Sequence, residues 1–291
     1  MGGITTRSIE ANGLRFLVDE AGAGDKVALL LHGFPESRLC WRHQMQFLAD
    51  LGWHVVAPDL RGYGGSSRPK GRRAYHIDNL VEDVGALFDA LGARQRLLIG
   101  HDWGGMIAWS FAIRRVRRLD GVVTVNAPHP RVFQKAVRSG PQRKRSWYIR
   151  FFQLPWLPEL RLGANRAAAV GKVLQRSACR ESTFPPEIVE HYRENAAAPG
   201  ALTAMINYYR ANRNLRSMGQ GPGVNAPMLM LWGEQDTALG TELILPSSRY
   251  VDDIAIRRFP DVSHWLPEEA PEEVNAALAE WLRALNLEPQ A

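Results

Sequence analysis

Leu98-Ile99-Gly100-His101-Asp102-Trp103-Gly104-Gly105 is the stretch on which the fold turns. Its apolar start reads as the end of a buried strand, and Gly105 onward reads as a helix. Glycines stand two residues to either side of Asp102. That is the spacing of a nucleophile elbow, G-x-nucleophile-x-G, with Asp where Ser is the more familiar occupant. The turn is sharp, so flanking side chains would clash. The helix N-terminus beside it favours negative charge, and hence an ionised Asp102. A helix-capping Asp in a Gly-rich turn looks the same locally, so the rest of the chain has to decide.

Outward from the elbow, strands and helices alternate. Residues 7–18 hold Asn12-Gly13, a two-residue hairpin turn between strand-like runs. Residues 27–31, 54–57, 97–99 and 119–125 are short apolar runs of the buried parallel type. Residues 41–51 and 77–91 have helical spacing, the latter closed by Gly92. The rhythm predicts a mostly parallel, doubly wound α/β sheet. It breaks over residues 129–216, rich in Arg, Ala and aromatics and helical in pattern. It resumes with strands at 228–232 and 254–259, a helix at 241–250, and a helix at 271–285 that opens on Pro271 with Glu272 and Glu273. The expected organisation is a core of residues 1–128 and 217–291 split by a helical cap, residues 129–216.

A nucleophile needs a base, and the base an orienter. The strand at 228–232 runs into Gly233-Glu234-Gln235-Asp236, and the strand at 254–259 into Pro260-Asp261-Val262-Ser263-His264-Trp265. Acid and His follow the elbow in the order this architecture uses, which makes Asp102, Asp236 and His264 the candidate triad; Glu234 and Asp261 compete with Asp236. Leu31-His32-Gly33-Phe34-Pro35 follows the first parallel strand. Phe34 and Trp103 are the expected backbone N–H donors of an oxyanion hole. Asp59-Leu60-Arg61-Gly62-Tyr63-Gly64-Gly65-Ser66 lacks the Gly-Lys-Ser/Thr ending of a phosphate loop and reads as a structural turn.

Composition removes other classes. The 291 residues are 45% hydrophobic and 23% charged, an ordinary globular balance. No run approaches the roughly 18 apolar residues of a membrane helix. The N-terminus lacks a secretory pattern, and its loose acylation match, Gly2 with Thr6, is read as a plain start, so a cytoplasmic location is expected. Cys40 and Cys179 make neither a disulfide framework nor a metal site. Net charge is +6, concentrated around 114–118 and 138–150. Without a nucleic-acid motif these runs read as solvated surface, and no nucleic-acid or membrane partner is expected. No cofactor or metal is expected, and a homodimer stays open.

On these residues the chain resembles the α/β-hydrolase-fold epoxide hydrolases. The resemblance rests on His32-Gly33-Phe34-Pro35-Glu36, the elbow, Asn126-Ala127-Pro128-His129-Pro130, Gly233-Glu234-Gln235-Asp236 and Ser263-His264-Trp265. Most of these fit aspartate-nucleophile hydrolases in general. More specific are Tyr148-Ile149-Arg150-Phe151-Phe152-Gln153 and Asn207-Tyr208-Tyr209-Arg210. The resemblance implies that Tyr148 and Tyr209 grip an epoxide oxygen, with Tyr208 as the alternative register. It implies conversion of small apolar epoxides to diols through an ester on Asp102, in a pocket including Phe34, Trp103, Phe151 and Trp265. Trp147, Trp156 and Phe184 are further cap aromatics suggesting an apolar pocket.

The near rival is a dehalogenase on the same Asp nucleophile. Trp103 stands where such enzymes hold halide, but Phe34 replaces a second donor such as Asn. The arginines that fluoroacetate dehalogenases carry one and four residues after the nucleophile are here Trp103 and Met106. A non-catalytic ligand receptor is the alternative of another class; it has no use for both a triad and two tyrosines.

Overall fold

Apolar runs of five or six residues collapse into parallel strands wherever amphipathic helices can cover both faces. In the computed structural model, which describes residues 3–287, this yields one sheet. Its strands are β1 (Thr5–Ala11), β2 (Leu14–Ala21), β3 (Lys26–Leu31), β4 (His54–Pro58), β5 (Gln95–His101), β6 (Gly121–Val125), β7 (Met228–Gly233) and β8 (Ile254–Phe259). The order is β1-β2-β4-β3-β5-β6-β7-β8. β1 and β2 form an antiparallel hairpin, β2 lies antiparallel to β4, and the remaining pairs are parallel. Asn12 and Gly13 both take positive φ at the hairpin turn, as a primed turn requires. Gly2 of the acylation pattern lies outside the described residues.

Side chains alternate across the strands, so the central strands feed two cores. Ala28, Leu30, Val55, Leu97 and Ile99 pack on one face with α1 (Arg42–Asp50) and a C-terminal helix, Pro271–Ala284. Leu29, Leu31, Val56 and Leu98 pack on the other with α2 (Ile77–Ala90) and α3 (Trp103–Arg114).

Between β6 and β7 the described chain is helical and adds no strand: α4 (Pro130–Ala136), α5 (Gly140–Arg145), α6 (Trp147–Phe151), α7 (Leu157–Ser177), α8 (Pro186–Ala197) and α9 (Ala201–Ala211). The expected helix at 241–250 is shorter: a 3-10 turn, Thr241–Leu243, and then α10 (Ile244–Ser248). Pro246 has no N–H to donate and is tolerated only in a first turn, so the α-helix starts late. The final helices are α11 (Leu266–Glu269) and α12 (Pro271–Ala284).

The basic run at 114–118 is largely absorbed into surface ion pairs: Arg114 with Asp78, Arg117 with Asp89 and Arg118 with Asp120. Among the described residues, no helix is long and apolar enough to cross a membrane.

Candidate active site

The elbow is as tight as its glycines require. Asp102 sits at φ 49, ψ −114 between the end of β5 and the start of α3. A Cβ on Gly104 would lie 2.1 Å from the Leu31 carbonyl oxygen, and one on Gly100 2.3 Å from the Gly104 oxygen. Any larger residue at either place pushes the strand and helix apart. The outcome is a carboxylate lifted off the sheet beside the loop after β3. The Phe34 N–H donates to Asp102 Oδ1 at 2.9 Å, and the Trp103 N–H also hydrogen-bonds the carboxylate.

Asp236 and His264 occupy the loops after β7 and β8, at the same carboxyl edge of the sheet, where parallel α/β folds place their sites. His264 Nδ1 meets Asp236 Oδ2 at 2.6 Å, and His264 Nε2 lies 3.8 Å from Asp102 Oδ2. The orienting carboxylate is fully subscribed. Its Oδ1 accepts the Ala238 and Leu239 N–H groups at 2.7 and 2.8 Å, and its Oδ2 accepts Asn126 Nδ2 at 2.8 Å. The competitors are engaged elsewhere: Glu234 pairs with Arg258 at 2.6 Å, and Asp261 is exposed.

Charge in this cluster follows from burial set against neighbours. Burial works against ionisation of Asp236, yet the adjacent imidazolium and its hydrogen bonds hold it below the ordinary carboxylate range. Burial also opposes charge on His264, but Asp236 first, then Asp102 and Glu36, raise it to about 9. At Asp102 the N–H groups of the elbow favour the carboxylate, as expected, but burial acts against them. Burial lifts its pKa above the usual value, outweighing His264, His101 and the two N–H donors. The N–H groups moderate the desolvation without reversing it.

The two cap tyrosines come from different helices, Tyr148 from α6 and Tyr209 from α9. Their rings stand 6.0 Å apart at 84°. Tyr209 also meets Phe34 edge-on at 5.6 Å and Trp103 at 5.0 Å. Burial first, then the Asp102 charge, keeps both phenols protonated far into the alkaline range. Tyr208, one helical step or roughly 100° away, faces elsewhere. It is buried against Tyr63 and Tyr75, and its hydroxyl donates to the Arg61 carbonyl at 2.9 Å. Gln153 ties the two helices, donating to the Ile149 and Tyr209 carbonyls at 3.1 and 3.4 Å.

Asp102, Tyr148 and Tyr209 border two cavities. A wider one of about 300 Å³ is lined by Phe34, Phe151, Leu162, Val173, His264 and Trp265. A narrower one of about 70 Å³ runs past Trp103, Met106, Phe133 and Leu215. Of the other cap aromatics, Trp147 lines the wide lobe while 64% exposed. Trp156 is 82% exposed and lines neither lobe, and Phe184 packs behind Trp265.

Sequence reasoning assigned no role to a layer beneath the triad. His101 Nδ1 meets Glu36 Oε2 at 2.7 Å and His101 Nε2 meets the His264 carbonyl at 2.9 Å, all buried. Asn126, with positive φ, spans β6 and β7 by accepting the Gly233 N–H at 2.9 Å while donating to Asp236. Their signal lay in the quoted motifs, which hold both Glu36 and Asn126.

The family model for the alpha/beta hydrolase fold matches residues 27–271. The chain is 37% identical to the AB hydrolase superfamily protein YfhM of Bacillus subtilis, over 97% of this chain and 99% of that one. It is 32% identical to epoxide hydrolase A of Mycobacterium tuberculosis, over 99% and 100%. The crystal structure of Bacillus megaterium epoxide hydrolase in complex with an inhibitor superposes with a TM-score of 0.88 at 30% identity, covering 95% of this chain and all of that one. A strained Asp elbow, an Asp–His pair at the sheet edge and this near end-to-end similarity lead to one conclusion: the chain belongs to the alpha/beta hydrolase fold family, alongside its epoxide hydrolases.

Proposed function

We propose that the chain converts epoxides to vicinal diols through a covalent ester on Asp102, with residues 129–216 as a cap domain over a core of 1–128 and 217–291. The observation that carries this reading is the pair of phenols bordering the same cavity as Asp102, with an Asp236–His264 pair behind it. A strained sp³ carbon suits a carboxylate nucleophile, because Asp102 has no proton to lose. The difficult part is the leaving oxygen, which two protonated phenols are suited to accept.

With Oδ1 held by Phe34, Asp102 Oδ2 attacks the ring carbon from the side opposite its oxygen. The C–O bond breaks, and the alkoxide takes a proton from Tyr148 or Tyr209. His264, an imidazolium in the resting site, returns that proton to the phenolate and becomes neutral. Esterification also removes the Asp102 charge that helped hold the proton on His264, so the base appears when the ester does. Neutral His264 then deprotonates a water that attacks the ester carbonyl. Oδ1 carries the developing charge and stays on the Phe34 and Trp103 N–H groups, where one donor is worth roughly 3 kcal/mol. Collapse releases the diol, which takes up the water's proton, and the remaining acid proton on Asp102 passes to His264. The resting charges are restored.

Two outcomes test the reading. Tyr148→Phe and Tyr209→Phe each slow single-turnover alkylation by about 10-fold to 100-fold, and the double variant nearly abolishes it, non-additively because both act on one oxygen. A double variant that alkylates at the wild-type rate removes the phenols from the mechanism. In a single turnover in ¹⁸O water with enzyme in excess, the diol carries little label, which stays in the Asp102 carboxylate. Heavily labelled diol makes Asp102 a base rather than a nucleophile.

A further inference from the structure

We propose that Glu269 is a positioning residue for His264: its carboxylate fastens the loop that carries His264 to the end of α7, and by doing so supports ester hydrolysis more than alkylation. The kinetic part rests on the ring-opening reading above. The fastening rests on hydrogen bonds alone.

Glu269 closes the short helix α11 and is buried. Its N–H donates to the Trp265 carbonyl at 2.9 Å, and that single turn folds its side chain back onto the loop after β8. Oε2 accepts the Ser263 N–H at 3.2 Å and also the Ser263 hydroxyl. Oε1 accepts the N–H groups of Cys179 and Arg180, each at 3.0 Å. These two stand just beyond Ser177, the last residue of α7. One carboxylate therefore takes four donors, two from the catalytic loop and two from the helical segment between β6 and β7. The Arg180 guanidinium goes past it, to the Glu269 carbonyl at 2.7 Å and to Glu273 at 3.0 Å. Buried carboxylates usually have a cationic partner. This one forms no salt bridge among the described residues and is held by N–H and O–H dipoles, which fix its place and theirs.

A second tie runs beside the first. Trp265 Nε1 donates to the Ser177 hydroxyl at 2.8 Å, and the Trp265 N–H reaches the Ser263 hydroxyl at 3.3 Å. The residues on both sides of His264 are thus anchored to the end of α7, one through Glu269 and one directly. His264 has two contacts to keep at once, Nδ1 at 2.6 Å from Asp236 and Nε2 at 3.8 Å from Asp102. A displacement of about 1 Å at a reacting group costs roughly 100-fold in rate. Asp102 and its two N–H donors stand on other elements and share none of these contacts. Loosening the joint therefore falls on the step that needs the base.

The test is Glu269→Gln. An NH2 group cannot accept, so whichever way the amide turns, one of the two pairs of donors loses its acceptor. With styrene oxide at saturation, decay of the alkyl-enzyme mass slows by about 10-fold to 100-fold, while its formation stays within about threefold of wild type. Both are first-order constants of folded sites, so a loss of folded fraction does not enter. Ser263→Ala keeps the carboxylate and its hold on residues 179–180 but removes the hydroxyl donor. It slows decay in the same direction and by less. A readout without substrate accompanies the kinetics. NMR of labelled imidazole shows the His264 pKa falling from about 9 in Glu269→Gln, because a looser loop weakens the Asp236 contact that raises it. Wild-type decay of the ester, equal slowing of both steps, or an unmoved His264 titration makes Glu269 a stabilising clamp only and overturns the proposal. A wild type that forms no alkyl ester overturns the ring-opening reading, and the titration alone then decides whether Glu269 positions His264.

Discussion

Asp102→Ala is expected to abolish turnover, by about 10⁵-fold or more, while the protein still melts cooperatively. The magnitude follows from what is lost. Without the carboxylate there is no ester and no two-step path, and removing the nucleophile of a triad hydrolase costs on that order. The stability effect is smaller and has two opposing parts. Ala is less tolerant than Asp of the left-handed φ of 49 at this position, which costs about 1 kcal/mol. Against this, the variant no longer buries a carboxylate whose ionisation burial disfavours. A Tm within about 4 °C of wild type is the expected balance.

Titration of His264 tests the electrostatic coupling through which loss of the Asp102 charge releases the base. Asp102 is one of the charges that raise the imidazole to about 9, after Asp236. In Asp102→Ala that support is gone, so the His264 pKa falls, and NMR of labelled imidazole follows it directly. The same fall accompanies esterification in the proposed cycle. A variant with full activity ends the mechanism. A variant with an unmoved His264 titration breaks the link between ester formation and release of the base.

The parts of this fold legible from sequence are those set by short-range rules. The Asn12-Gly13 hairpin follows from two residues that tolerate positive φ. The strands at 27–31 and 228–232 are apolar runs too short for helices. Asp236 and His264 stand out because each lies in the loop directly after such a run. What stayed hidden depends on rotation or on distance. Tyr208 and Tyr209 are equivalent in a pattern, and only the orientation of α9 turns one to the cavity and the other to the Arg61 carbonyl. Glu36 and His101 are 65 residues apart, and their hydrogen bond exists only because β3 and β5 are neighbours in the sheet. The electrostatics of Asp102 were legible only in part: the favourable N–H groups could be read from sequence, the burial that opposes them could not. A helix terminus can be read from sequence, but the depth at which the folded chain buries it cannot.

His264→Gln is expected to trap the intermediate, and the mass of the trapped protein distinguishes the chemistry. Gln keeps a side-chain donor for Asp236 but cannot take a proton from water. Attack by Asp102 requires no proton removal from Asp102, so alkylation persists. It slows, because the variant lacks the imidazolium that opposes the desolvation of Asp102. Ester hydrolysis loses its general base and falls by about 10²-fold to 10⁴-fold, so the ester accumulates. The proposed charge balance also predicts the pH dependence. In the wild type the hydrolysis step gains rate as pH rises through the His264 pKa of the ester form. That pKa lies below the resting value of about 9, since the Asp102 charge has been consumed. In His264→Gln that limb disappears. Intact mass then identifies the reaction. An epoxide opens without losing an atom, so the adduct gains the full mass of the epoxide. A bromoalkane expels bromide, so its adduct gains only the alkyl group in place of a proton. An epoxide adduct on Asp102 that decays more slowly than wild-type turnover is the expected result. An adduct from the bromoalkane alone assigns the site to dehalogenation. No adduct from either, with the wild type active on the epoxide, makes His264 essential to the first step and overturns the order of events proposed for this site.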